Sequence, residues 1–119
     1  MTYVKINDTL YPATVDGKMV DREWDDRASK AITVEMNHAA ASKLFVDGLV
    51  WSIVERHEVP VYQIGEQGKP GTETEEIEWD NSEYSIAGAL TDHRDGTITV
   101  KMGKLTELEE AYKIMLGGV

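Results

Sequence analysis

The side chains of this sequence that could do acid–base or metal chemistry are its three histidines and many carboxylates. His38, His57 and His93 lie far apart and lack the short spacings of a zinc site. His93 is the best candidate acid or base because aspartates flank it, although its segment is also typical of a hairpin turn. A small ligand- or metal-binding domain, or a catalytic one, that uses carboxylates with His57 or His93 is therefore an alternative hypothesis.

Motifs for other catalytic classes are missing from the sequence. No serine lies in a Gly-x-Ser-x-Gly elbow, and neither Gly-Lys pair has the glycine spacing of a phosphate loop. The absence of cysteine excludes disulfides, thiolate zinc sites and cysteine nucleophiles. We therefore predict a protein that is not an enzyme, with no catalytic residue, no cofactor and no bound metal.

The charge balance is strongly acidic. Aspartate and glutamate number 22 against 12 lysines and arginines, a net charge of -10, which opposes binding to a nucleic-acid backbone. We expect neither a nucleic-acid nor a membrane partner, and the first residues resemble a strand rather than a signal peptide, so the expected location is the cytoplasm. A further alternative is an acidic inhibitor that mimics DNA and binds a basic protein in a salt-dependent way.

Two tryptophans among charged residues are candidates for a protein interface. Six charges surround Trp24 between Asp21 and Arg27, without the residue order of a calcium loop. Tryptophan and arginine are enriched where proteins meet, and Trp79 lies in a similarly charged segment. The predicted partner interface consists of Arg22, Trp24, Arg27 and Trp79.

The elements that position these residues are indicated by turn signals and by apolar periodicity. Polar pairs at residues 7–8, 16–17, 47–48 and 95–96 predict tight turns between short antiparallel strands. Strands are expected at residues 3–6, 9–14, 18–24, 31–36, 49–58 and 97–102, with a break at Pro60. Asn37 is a good N-cap for a short helix that follows it.

The second half contains a glycine-rich segment, an acidic strand and a helix. Residues 65–72 predict a flexible loop, and the alternating acidic and apolar residues at 73–80 predict an edge strand. Thr106 and Glu109 form a capping-box pattern before an apolar stripe that predicts a C-terminal amphipathic helix. Together these signals predict one α+β domain over residues 1–119, mainly antiparallel β-sheet with a short central helix and this C-terminal helix.

Residues 21–33, 44–54 and 91–104 resemble segments of small uncharacterised proteins encoded in prophages of Gram-positive bacteria, often within the tail-assembly module. The resemblance implies a non-enzymatic structural or interaction protein associated with the tail or baseplate. It implies protein partners, either further copies of the chain or phage tail components, and a virion-associated location for a tail component. It carries no catalytic motif and transfers no site residue.

Overall fold

Seven strands and two helices make up the part of the chain that the computed structural model describes, residues 1–62 and 70–117. The strands form an antiparallel sheet, so the predicted α+β fold with mainly antiparallel sheet is confirmed. In chain order the elements are β1 (Thr2–Ile6), β2 (Thr9–Asp21), β3 (Arg27–Glu35), α1 (His38–Leu44), β4 (Ser52–Tyr62), β5 (Pro70–Asp80), β6 (Ile86–Asp92), β7 (Thr97–Gly103) and α2 (Glu107–Gly117). The sheet order is β5-β4-β1-β2-β3-β7-β6.

The first hairpin turns at Asn7 and Asp8, as predicted. Both residues have positive φ angles, 51° and 63°, which asparagine and aspartate tolerate better than most side chains. The chain then enters β2, whose residues 9–12 pair with β1 and whose remaining length pairs with β3. One strand therefore joins the two halves of the sheet.

The turn predicted at Asp16 and Gly17 is wrong. Gly17 lies within β2 and pairs with Lys30 of β3, while the neighbouring apolar pair Val15 and Ile32 keeps the strand on the core. Continuous pairing on both sides of Gly17 outweighs the local turn preference. The chain instead reverses at residues 22–26, so the strand predicted to reach Trp24 ends at Asp21.

Strand β4 differs from the predicted strand at two points. It begins at Ser52 rather than at residue 49, and it continues through Pro60 to Tyr62 without the predicted break. Beyond Arg56 the strand pairs with β5, and among the described residues its other side has no ladder partner, a setting that tolerates proline. Of the predicted loop at 65–72, residues 65–69 lie outside the described residues, and β5 begins at Pro70.

The core lies on the face of the sheet that α1 covers. Asn37 caps α1 by accepting a hydrogen bond from the backbone N–H of Ala40, and Ala41 and Phe45 are buried against the strands. Trp51 is 1% exposed, and its indole Nε1 donates to the carbonyl oxygen of Tyr84 at 2.9 Å. The strands contribute the remaining buried apolar residues of this core, which are Val4, Ile6, Ile32, Val34, Ile98, Val100 and Met102.

Candidate interaction surface

Helix α2 follows β7 and begins with the predicted capping box. The backbone N–H of Thr106 donates to Glu109 Oε1 at 2.9 Å, and the backbone N–H of Glu109 donates to Thr106 Oγ1 at 3.2 Å. The two residues thus satisfy N–H groups that have no partner inside the helix. This local arrangement fixes where α2 starts.

Arg27 connects the start of α2 to the sheet. Its guanidinium donates to both carboxylate oxygens of Glu109, at 2.8 and 3.0 Å, and to the carbonyl oxygen of Lys104 at 3.1 Å. The Arg27 side chain is 6% exposed. These hydrogen bonds, together with the Thr106 N–H, lower the pKa of Glu109 from 4.5 to about 2. The carboxylate is therefore ionised at neutral pH and remains paired with Arg27.

The apolar residues of α2 are left uncovered. Leu108 and Met115 are 80% and 81% exposed, and α2 makes no extensive packing contact with another element of the described chain. Spacings of three and four residues bring side chains to one side of a helix. The exposed apolar stripe of α2 consists of Leu108, Tyr112, Met115 and Leu116.

Trp24, one of the predicted interface residues, is packed within its own chain. The guanidinium of Arg27 lies 5.0 Å from the centre of the Trp24 ring, at cation–π distance. The other neighbours of the ring are two glycines, because a Cβ at Gly88 or Gly103 would lie 2.5 or 2.7 Å from ring carbons. The tryptophan therefore occupies a space that only glycine leaves open, and it supports the arginine that holds α2.

Asp21 stabilises the start of the reversal at residues 22–26, here called the Trp24 loop, as Arg27 does its end. Its buried carboxylate accepts hydrogen bonds from Lys101 Nζ at 3.0 Å, from Ser29 Oγ at 2.9 Å and from the backbone N–H of Glu23 at 3.1 Å. The bonds from Lys101 and then Ser29 lower the pKa of Asp21, and the Asp21 partner raises the pKa of Lys101. This buried charge is thus neutralised and hydrogen-bonded by the chain itself.

Arg22 and Trp79 are exposed, and they lie in different parts of the molecule. Trp79 is 50% exposed in β5, which is an edge strand as predicted. Its acidic neighbours form ion pairs, Glu76 with Arg56 of the adjoining β4 at 2.8 Å and Glu78 with Lys5 of β1, one strand further, at 3.1 Å. The structure therefore brings Arg22, Trp24 and Arg27 together in one loop region but places Trp79 at the far edge of the sheet.

The histidines make isolated local contacts. His93 Nε2 lies 2.7 Å from Thr99 Oγ1, and His57 Nε2 lies 3.4 Å from a carboxylate oxygen of Glu75. Across residues 1–62 and 70–117, no group of three or more histidines and carboxylates is arranged to hold a metal ion. Neither histidine thus has the additional ligands that a metal site would need.

The α2 stripe was missing from the predicted interface residues. Its spacing is that of any amphipathic helix, whose apolar side usually packs against its own domain. The Arg27–Glu109 pair joins residues 82 positions apart, and no local pattern signals such a contact. The capping box was the available signal for the helix start, and the spacing of the apolar residues gave the side of the helix on which they lie.

No protein-family model matches the sequence, and neither a curated protein nor a solved structure shows significant similarity to it. Among the described residues, no helix is both long enough and apolar enough to cross a lipid bilayer.

Proposed function

We propose that this chain is a non-enzymatic structural or interaction protein that binds protein partners through the exposed stripe of α2. In this proposal α2 is the C-terminal amphipathic helix and α1 is the short central helix that covers the core. The observation that carries the proposal is the exposure of Leu108, Tyr112 and Met115 on a helix whose start is fixed by Arg27. An apolar helix face left in water is typical of a surface that a partner covers.

The anchoring of α2 favours binding. A free helix would lose conformational entropy on docking, whereas a helix that is already formed and oriented loses less. The capping box stabilises the first turn, and the two hydrogen bonds between Arg27 and Glu109 orient it. A partner would therefore meet a preformed apolar surface.

The ionisable groups also support a non-enzymatic role. The carboxylates with lowered pKa values are hydrogen-bonded by residues of their own chain, as Asp21 is by Lys101 and Glu109 is by Arg27. Catalytic acids and bases instead tend to have pKa values moved toward the working pH. Both ion pairs therefore have a structural role, since one holds a loop and the other holds a helix.

The resemblance to prophage-encoded proteins suggests which assembly the protein serves. A phage tail or baseplate is built by repeated contacts between small subunits, and an exposed helix on a rigid sheet suits such contacts. On this proposal the chain acts in the cytoplasm during assembly and becomes part of the virion if it is a tail component.

Site-specific photo-crosslinking tests the proposed function. A photoreactive residue replaces Tyr112 in the stripe or, as a control, Val50, which is 73% exposed outside α2. In cells that naturally encode the protein, we expect discrete protein adducts from position 112 that are absent from position 50. If the two positions gave the same adducts, or position 112 gave none, the stripe would not be a docking surface.

A further inference from the structure

We infer that the partner of α2 is α2 of a second copy of this chain, packed antiparallel in a two-fold dimer; this inference rests on the proposed function. In a two-fold interface the same surface faces itself, so each contact occurs twice. Leu108, Tyr112 and Met115 have the four- and three-residue spacing of a helix–helix seam. An antiparallel pair sets Leu108 against Met115 of the other copy and brings the two Tyr112 residues near the axis.

The charges on α2 favour the antiparallel direction. Glu107, Glu109 and Glu110 all lie in the first turn, and no basic residue lies in the last turn, whereas Lys113 lies past the middle of the helix. A parallel pair would place the two glutamate clusters side by side. The antiparallel pair separates these clusters and brings each toward the half of the other helix that contains Lys113. It also opposes the two helix dipoles.

The size of the surface sets the expected affinity. Eleven residues of helix span roughly 16 Å, too little to provide a standard interface of about 1,600 Å² by themselves. Met19 and Val20 are 90% and 57% exposed near the end of β2, just before the reversal at residues 22–26 that leads to Arg27. They add apolar area at the end of the sheet from which α2 projects. We expect a weak dimer, with a Kd on the order of 10 µM or weaker.

Electrostatic repulsion gives the dimer a distinctive salt response. Each copy has a net charge of -10, so two copies repel one another at low ionic strength. Added salt screens this repulsion and leaves the apolar contact in place. Dimerisation should therefore strengthen with salt, whereas binding to a basic partner would weaken.

Disulfide trapping tests the inference directly, because the natural chain contains no cysteine. In the full chain we would compare Tyr112→Cys, Leu108→Cys, Met115→Cys and the exposed control Val50→Cys under mild oxidation. Disulfides need Cα atoms within about 7 Å, and residues 108 of two antiparallel helices are about 11 Å apart along the axis. We expect rapid covalent dimers of Tyr112→Cys, and of Leu108→Cys mixed with Met115→Cys, but slow ones of Leu108→Cys alone and of Val50→Cys.

Other results would overturn the inference. Rapid trapping of Leu108→Cys alone would indicate a parallel pair, and equal rates for Tyr112→Cys and Val50→Cys would indicate random collision. Circular dichroism of the reduced variants checks that each is folded, and sedimentation of the natural chain between 1 and 200 µM, about a decade either side of the expected Kd, checks for a dimer without any substitution. If the dimer is absent but position 112 still crosslinks to another protein in cells, this inference fails and the proposed function stands.

Discussion

The core beneath α1 and the stripe on α2 contain similar side chains and differ in what covers them. Trp51 and Met102 are 1% and 0% exposed between the sheet and its helix, whereas Leu108 and Met115 are almost entirely exposed. Burial of apolar area is the main favourable term in folding. The core therefore stabilises the fold, whereas the stripe adds little to stability and leaves its apolar area in water.

The sheet and helix α2 are also held in place in different ways. Strand β7 is joined over its full length to residues Ser29–Glu35 of β3 by paired backbone, whereas α2 is attached through its first turn by Arg27 and Glu109. Loss of a single side chain can thus release α2 without unfolding the sheet. Five substitutions or conditions, taken in order of decreasing effect on stability, test this contrast.

The largest effect is expected from Trp51→Ala. The substitution leaves a cavity in the core and removes the indole that donates to Tyr84, so the free energy of unfolding should fall by about 3–5 kcal/mol. Urea denaturation measures the change. Trp79→Ala is the matched control, because half of that side chain is already exposed, and it should cost much less. Equal losses for the two tryptophans would contradict the assignment of stability to the core.

Gly103→Ala should have the next largest effect. A Cβ at this position would lie 2.7 Å from Arg27 Cδ and from the Trp24 ring, so both side chains must move, at a cost of about 1–3 kcal/mol. Thermal unfolding and the fluorescence of Trp24 would report the change. Gly17→Ala is the control, since the nearest side-chain atom to a Cβ there would be Lys30 Cγ at 3.9 Å, and it should be neutral or slightly stabilising.

Acid should release α2 at low pH. The pKa of Glu109 is lowered from 4.5 to about 2, so its contribution to stability is complete above 4.5 and is lost as the pH falls through about 2. Amide NMR signals of α2 should therefore keep their folded positions at pH 5 and shift near pH 2. The pKa of Asp21 is lowered too, so the Trp24 loop should loosen in the same direction.

Glu109→Gln separates the effect of losing the Glu109 charge from the effect of protonating Asp21 in that acid transition. The variant lacks the charge at every pH, so its α2 signals should already be shifted at pH 7 while the sheet remains folded. A variant with the α2 signals of the natural chain at pH 7 would contradict the role of the ion pair as the anchor.

The smallest effect on stability is expected from Leu108→Ser combined with Met115→Ser. Both side chains are about four-fifths exposed, so the free energy of unfolding should change by no more than about 1 kcal/mol for the pair. Self-association should nevertheless be lost in sedimentation experiments. Val50→Ser, another exposed apolar residue outside α2, should leave both properties unchanged. A large loss of stability in the double variant would indicate that the stripe packs within its own chain.

Local chemistry made much of the fold predictable from the sequence. The turn at Asn7 and Asp8, the cap at Asn37 and the capping box of α2 each depend on neighbours a few residues away. The turn predicted at residues 16–17 failed because pairing with β3 overrides a local preference. The break predicted at Pro60 failed because, within the part of the chain that the structure describes, this end of β4 has a partner on one side only.

The candidate surface was less predictable because it depends on distant contacts. Trp24 and Arg27 have the residue types of an interface, and in the folded chain they contact Gly88, Gly103 and Glu109, which lie far away in the sequence. Conversely, the spacing of Leu108 and Met115 is the same whether a helix is covered or exposed. Only the three-dimensional arrangement shows which contacts a tryptophan makes within its own chain.

Because β2 pairs with β1 along one part and with β3 along the other, insertions within this strand should differ in effect from insertions at its end. Residues 9–12 of β2 pair with β1, and those from Ala13 onward pair with β3. One extra codon after Pro12 would turn Ala13 and Val15 away from the core and disrupt the alignment of the second half of the sheet. The same codon inserted among residues 22–23, before Trp24, would leave the strand pairs aligned and disturb only the hydrogen bonds of the reversal, such as that from the Glu23 N–H to Asp21. Insertions and deletions should therefore be purged from the middle of β2 and be better tolerated at its end.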